Sequence, residues 1–244
     1  MTLKNKNILI TGVGKGLGRN MVESFLESGA YVYGITRSAS DIKNFKKHKN
    51  LKIFRGDVRN SNLIKKIFTH SIKKRKIING LVNNAGIRQR VKFQEITQKN
   101  MKEVFDINFF SIFSIMKLYA KYCLRNKIKS SIINIGSIVG ETGFSGLSGY
   151  SSTKGALKSM TQCFAVEYAN RIRANVVNPG FIKTSYYKKF KKNKKLYNWT
   201  LSKIPQKRWG EPKEISSMVG FLLSDQSSYI TGESINIDGG WLKS

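Results

Sequence analysis

Only three prolines, two cysteines, two histidines and 14 acidic residues occur in these 244 residues, and each scarcity closes off a class of protein. With so few prolines and no polar linker, a second domain has nowhere to begin, so the expectation is a single domain over residues 1–244. Cys123 and Cys163 form no CxxC pair and lie in apolar surroundings, which excludes a disulfide framework and fits buried thiols in a reducing compartment. His48 and His70 have no spaced ligand partners and sit among lysines, so surface histidines are expected and no metal site. The N-terminus MTLKNKNILITG lacks the apolar core and cleavage site of a signal peptide, which places the protein in the cytoplasm. The longest apolar run, FDINFFSIFSIMKLYA, is broken by Asp106, Asn108 and Lys117 and falls short of the roughly 20 residues that a membrane span requires. No membrane partner is expected.

Positive charge, by contrast, is abundant. Lys plus Arg number 44 against the 14 acidic residues, a formal net charge of +30. Such a field draws in anionic ligands and acidic partners by steering more than by specificity. Basic runs occur in FKKHK (45–49), IKKRK (72–76) and YYKKFKKNKKLY (186–197), yet none belongs to a helix-turn-helix, a zinc finger or an RNA-reading motif. A solvated basic surface is the reading adopted, with no specific nucleic-acid partner.

Short β-rich runs alternate with helix-length segments almost to the end. Candidate strands are 7–11, 30–36, 51–54, 80–84, 131–137, 173–179 and 234–238, and segments of helical period fill 18–29, 61–73, 100–125, 151–170 and 212–224. This alternation predicts an α/β fold, a doubly wound parallel sheet with helices on both faces. Ligands bind such sheets beyond the carboxyl ends of the strands.

The stretch TGVGKGLG (11–18) occupies such a strand end. It fails the P-loop pattern GxxxxGKS/T, and it fails GxGxxG because the third glycine would fall on Leu17, Arg19 or Met21. What remains is Gly12-x3-Gly16-x-Gly18. Glycines there allow a tight turn and close backbone approach, while a helix beginning near Gly16 aims N–H groups at a phosphate. A glycine-rich turn is by itself equally compatible with a purely structural role.

The turn is followed in order by Asn83-Asn84-Ala85-Gly86, Ser137, Tyr150-x3-Lys154, Pro179-Gly180 and the tail ITGESINIDGGW. In order and spacing, from about residue 6 to Trp241, this set resembles the short-chain dehydrogenase/reductase family. The resemblance implies a Rossmann-type sheet of about seven parallel strands, a nicotinamide cofactor, and an oxidoreductase acting on CH–OH and C=O groups. It assigns cofactor contacts to Gly12, Lys15, Gly16, Leu17 and Gly18, to Asp57 and Val58, to Asn84, Ala85 and Gly86, and to Pro179, Gly180, Ile182 and Thr184. Asp57 would touch the adenine in this scheme, or else simply cap the next helix.

In members that prefer NAD(H), an acidic residue ends the second strand and bonds the ribose hydroxyls. Thr36 holds that place here and Arg37 follows it. An arginine can clamp a 2′-phosphate that a carboxylate would repel, and Lys15 adds a second cation, so NADP(H) is expected over NAD(H).

Tyr150 and Lys154 stand at i and i+4 on one helix face. A nearby ammonium favours the phenolate, which makes Tyr150 the proton donor in reduction and acceptor in oxidation. By the resemblance, Ser137 bonds the substrate oxygen, Lys154 also binds the nicotinamide ribose, and Asn108 kinks its helix and holds a water that links Lys154 to solvent. Asn84 would support the strand edge behind the cofactor.

The segment from Phe181 to Gly210 mixes aromatics with lysines and, by the resemblance, covers the substrate. NNAGIRQRVKF and RWGEPKEI are similar to sugar-acid and polyol dehydrogenases, which implies a small polar, anionic substrate. Overall length and tail are also similar to 3-oxoacyl-acyl-carrier-protein reductases, whose acidic carrier would suit the basic surface, although Gly149 stands where those reductases usually place Asn. Relatives assemble as homotetramers or homodimers through two long helices, and the apolar face of FFSIFSIMKLYAKYCL fits such burial or a place in the core. A non-catalytic NADP(H)-binding or nucleic-acid-binding protein is the alternative of another class, against which the complete Ser137, Tyr150, Lys154 set argues.

Overall fold

Apolar runs become the central strands, buried on both faces, while the edge strands Leu51–Arg55 and Ser234–Ile237 are partly exposed. The computed structural model describes residues 2–184 and 187–244, so Ser185 and Tyr186, within the expected covering segment, lie outside the described residues. The strands are β1 (Asn7–Thr11), β2 (Tyr31–Thr36), β3 (Leu51–Arg55), β4 (Gly80–Asn83), β5 (Ser130–Ile135), β6 (Ile172–Pro179) and β7 (Ser234–Ile237). All pair in parallel in one seven-stranded sheet of order β3-β2-β1-β4-β5-β6-β7. Ile8, Leu9 and Ile10 are each 0% exposed, as a strand covered on both faces requires.

The helices are α1 (Gly16–Glu27), α2 (Ala39–Lys43), α3 (Ser61–Lys73), α4 (Gln98–Phe105), α5 (Ser111–Arg125), α6 (Ser148–Tyr168), α7 (Tyr187–Lys191), α8 (Lys194–Lys203) and α9 (Pro212–Leu223). One apolar layer joins Leu9, Ile35 and Ile132 of the sheet to Ile64 and Ile67 of α3, Ile115 of α5 and Leu157 of α6. On the other face, Ile8, Ile10 and Ile133 meet Phe25 of α1 and Ile215 and Val219 of α9. Strand order reverses between β1 and β4, which opens a crevice at their carboxyl ends.

Three expectations need correction. The helical segment 100–125 is not one α-helix, because α4 and α5 are joined by a π-helical turn, Asp106–Phe110, which carries the buried Asn108. Cys163 is exposed and only Cys123 is buried, since the periodicity of α6 turns position 163 away from Leu157 and Ala165. His70 is half-buried, edge-on to the rings of Phe54 and Tyr33, whereas His48 is exposed. Among the described residues no helix is long and apolar enough to cross a membrane.

Candidate active site

The glycine loop is shaped by its neighbours. Gly12 has φ +71°, and a Cβ there would lie 2.8 Å from the Ala85 Cα, so the backbones of the loop and the NNAG segment touch. A Cβ on Gly18 would overlap the Gly12 carbonyl. Asn84 Nδ2 donates to both the Thr11 and Gly12 carbonyls at 3.0 Å. The Thr11 hydroxyl accepts from the Asn84 and Ala85 amides at 3.0 Å each and ties β1 to the end of β4. Lys15 precedes α1 in an extended conformation, and its side chain caps none of the opening N–H groups of the helix. Those amides, with the positive end of the helix dipole, form a cradle for a phosphate.

From the cradle a cleft of about 660 Å³ runs along the strand ends, lined by Gly16, Leu17, Arg37, Asp57, Val58, Ala85 and Thr184 among others. Asp57 does not cap α3, because Asn60 does so by accepting from the Asn62 and Leu63 amides. Asp57 instead pairs with Arg59, Nη2 to Oδ2 at 2.7 Å, and this hydrogen bond holds its carboxyl below the usual carboxylate range. Thr36 carries no charge, as the sequence indicates, but its hydroxyl donates to Asp41 Oδ2 at 2.7 Å and so brings a carboxylate to the cleft wall after all.

A second cavity of about 330 Å³ continues from the first through Leu17, Asn84, Gly86, Ile87 and Thr184. Ser137, Tyr150 and Lys154 come together on its wall. Ser137 follows β5, accepts from the Val139 amide at 3.3 Å to start a 3-10 turn, and donates its own amide to Asn178 Oδ1 at 3.1 Å. Lys154, 6% exposed, donates its Nζ to the Ile135 carbonyl at 2.6 Å, and burial brings its pKa down to about 8. Its Nζ lies 5.6 Å from the centre of the Tyr150 ring.

The tyrosine differs from expectation. Burial raises the Tyr150 pKa, opposed by a hydrogen bond with Ser137 and by the charge of Arg88. Desolvation thus outweighs the Ser137 hydrogen bond and the Arg88 charge and favours the protonated hydroxyl. Asn108, 0% exposed, exchanges two 2.8 Å hydrogen bonds with the backbone of Ile87 and reaches Thr153 Oγ1 at 3.4 Å. It braces the segment after NNAG against α6 one residue before Lys154.

Pro179 ends β6, and Gly180 passes so close to β7 that a Cβ would lie 2.7 Å from the Asp238 Cα. Ile182 forms a bridge with Gly210, which folds the lysine-rich segment back over the cavity as α7 and α8. Phe144, Phe181, Phe190, Leu196, Trp199 and Trp209 face the cavity from this hood and its surroundings, while Arg88 and Arg90 supply cationic lining. Sequence reasoning did not single out Thr11, Asp41 or Arg88. Thr11 stands in the TG pair of the quoted motif and Arg88 within NNAGIRQR, but the tertiary contacts that give them roles leave no periodic signal.

A family model described as enoyl-(acyl carrier protein) reductase matches residues 12–242. The 3-oxoacyl-acyl-carrier-protein reductase of Thermotoga maritima is 32% identical, over 98% of this chain and 99% of its own length. The 2-dehydro-3-deoxy-D-gluconate 5-dehydrogenase of Bacillus subtilis is also 32% identical, over 99% and 96% respectively. Among solved structures, 4-hydroxyisoleucine dehydrogenase complexed with NADH superposes with a TM-score of 0.91 at 32% identity, covering 98% of this chain and 99% of that one. ElxO with NADP bound gives 0.90 at 30% identity, covering 98% and 99%.

Proposed function

This chain belongs to the short-chain dehydrogenase/reductase family and is an oxidoreductase of alcohols and ketones, and from that premise we propose that it uses NADP(H) to interconvert a ketone and a secondary alcohol on a small anionic substrate of sugar-acid type. The observation that carries the reading is the cavity in which Ser137, Tyr150 and Lys154 meet Arg88 and Arg90. Arginines beside the reacting hydroxyls favour a carboxylate on the substrate.

The cleft fits a dinucleotide. Its glycine cradle would hold the pyrophosphate, Arg37 and Lys15 would flank the adenosine end, and the cavity lined by Tyr150 would hold the nicotinamide. A nicotinamide held there would supply hydride to a carbonyl carbon when reduced and take it from an alcohol when oxidised. The Ser137 hydroxyl donates to the substrate oxygen and fixes its place. Tyr150, kept protonated by burial, gives its proton to that oxygen in reduction and takes it back in oxidation. Lys154, which donates to the Ile135 carbonyl, would bind the nicotinamide ribose, and Asn108 is a positioning residue that holds Ile87 and α6 in register. Asp57, Val58 and Ala85 line the adenine side, and Thr184 stands where the two cavities join.

The relatives' names support either substrate reading, and the aromatic hood favours the second. Phe144, Phe181, Phe190 and Trp199 offer an acyl chain apolar surface, so a 3-oxoacyl thioester on an acidic carrier is the competing substrate. Assembly into a homodimer or homotetramer is part of the same proposal, supported by Phe110 and Phe113 of the joined α4–α5 rod and Val166 of α6, exposed by 51%, 47% and 83%. A panel comprising a keto sugar acid, its methyl ester and a short 3-oxoacyl thioester, assayed with NADPH, tests the reading. The free acid should show the highest kcat/KM. A preference for the thioester selects the second substrate, and no turnover of any ketone refutes the proposal.

A further inference from the structure

The adenosine end of the cleft carries charges of both signs. Thr36 closes β2 and is 5% exposed, so its hydroxyl cannot turn to water and is committed to Asp41 Oδ2 at 2.7 Å. Asp41 lies in the first turn of the short helix α2, five residues beyond the strand end. The glycine loop packs against the same carboxylate, since a Cβ on Gly14 would overlap Asp41 and lie 3.0 Å from Thr36 Oγ1. The carboxylate is therefore tied to the end of β2 and packed against the phosphate cradle. Arg37 and Lys15, both exposed, line the same cleft.

We propose that Asp41 is a cofactor-discriminating residue, an acceptor for the adenosine ribose hydroxyls supplied by a helix instead of by the strand end, and that the site therefore accepts NAD(H) as well as NADP(H). This rests on the dinucleotide reading of the cleft given above and changes its selectivity. A vicinal diol presents two O–H donors and is matched by a fixed carboxylate. A 2′-phosphate presents only acceptors and negative charge, and is matched by guanidinium and ammonium groups. The wall offers one kind of partner to each cofactor. Asp41 repels the phosphate that Arg37 and Lys15 attract, so the preference for NADP(H) that the cations alone would give is reduced. An anchored carboxylate also loses little rotamer freedom when a diol docks.

A bland alternative is that Asp41 serves only to fasten α2 to Thr36. Asp41→Asn separates the two, because the amide oxygen still accepts from Thr36 while the charge is gone. Calorimetric Kd values for NADP⁺ and NAD⁺ on the intact protein provide a readout that needs no substrate. The two Kd values of the unaltered chain should lie within about tenfold of each other. Asp41→Asn should weaken NAD⁺ and tighten NADP⁺, moving the ratio by about ten- to a hundredfold. Thr36→Val, which unties the carboxylate, should weaken NAD⁺ alone, and Arg37→Ala should weaken NADP⁺ alone. If Asp41→Asn leaves both constants unchanged or shifts them equally, Asp41 is structural and the inference is wrong, while the dinucleotide reading stands. If neither nucleotide binds the unaltered chain, both fall together.

Discussion

Lys154 spends its ammonium on the carbonyl of Ile135, 2.6 Å away at the end of β5, and not on Tyr150, its neighbour one turn back on α6. Burial shifts both groups toward their uncharged forms before any ligand arrives, lowering the pKa of the lysine to about 8 and raising that of the tyrosine. A buried ammonium and phenol on one cavity wall, with the Nζ 5.6 Å from the ring centre, are prepared for proton transfer at the cost of stability.

That cost has a pH signature. The folded pKa of Lys154, about 8, lies below its ordinary value of 10.5. Between the two, the unfolded chain keeps a proton that the folded chain has released, so stability should rise with pH across that window. Below pH 8 both states carry the proton and the burial penalty is fully present. The slope should not exceed about 1.4 kcal/mol per pH unit. Urea unfolding of wild type and Lys154→Met from pH 7 to 10 should show the rise in the first and its loss in the second.

Arg88 acts on the same tyrosine in the opposite sense to burial. Removing its charge in Arg88→Ala should raise the Tyr150 pKa further, so the alkaline limb of ketone reduction, where the proton donor is lost, should move to higher pH. With an anionic substrate KM should also rise by about ten- to a hundredfold, the worth of a charged hydrogen bond. Arg88→Lys should restore the pH profile more fully than the KM. Steady-state rates across pH on an anionic and a neutral ketone separate the two effects.

The Asn84 amide carries the phosphate cradle on two hydrogen bonds, to Thr11 and Gly12. Asn84→Ala leaves both carbonyls short of that donor and should destabilise the chain by about 1–3 kcal/mol. Gly18→Ala is worse, because the added methyl meets the Gly12 carbonyl with nowhere to move. It should abolish nucleotide binding measured by calorimetry while far-UV circular dichroism shows the helices and sheet retained.

Strands were legible because a doubly covered sheet demands unbroken apolar runs, and Ile8-Leu9-Ile10 or Ile132-Ile133 can serve nothing else. The trio Ser137, Tyr150 and Lys154 was legible through the family resemblance that its order and spacing carry, and all three line one cavity. Features set by contacts across the chain were not. Asp41 lies on a five-residue helix with no buried face, and only its bond to Thr36 brings it to the cleft. The hood helices α7 and α8 come from a lysine-rich stretch with little apolar period, and they are held by Phe181, Phe190 and Trp209 packing on one another. The break of the helix at Asn108 was expected from the resemblance alone, because the bonds to Ile87 that hold its π-helical turn are not encoded by local propensity.

The most direct measurement follows deuterium from C4-labelled NADPH into the alcohol formed from a small anionic ketone, with wild type and Tyr150→Phe side by side. The account predicts deuterium at the carbinol carbon with wild type and a rate lower by about 10²–10⁴ with the variant, whose NADPH affinity is unchanged. Transfer at equal rates by both proteins, or label that never reaches the carbinol carbon, would contradict it.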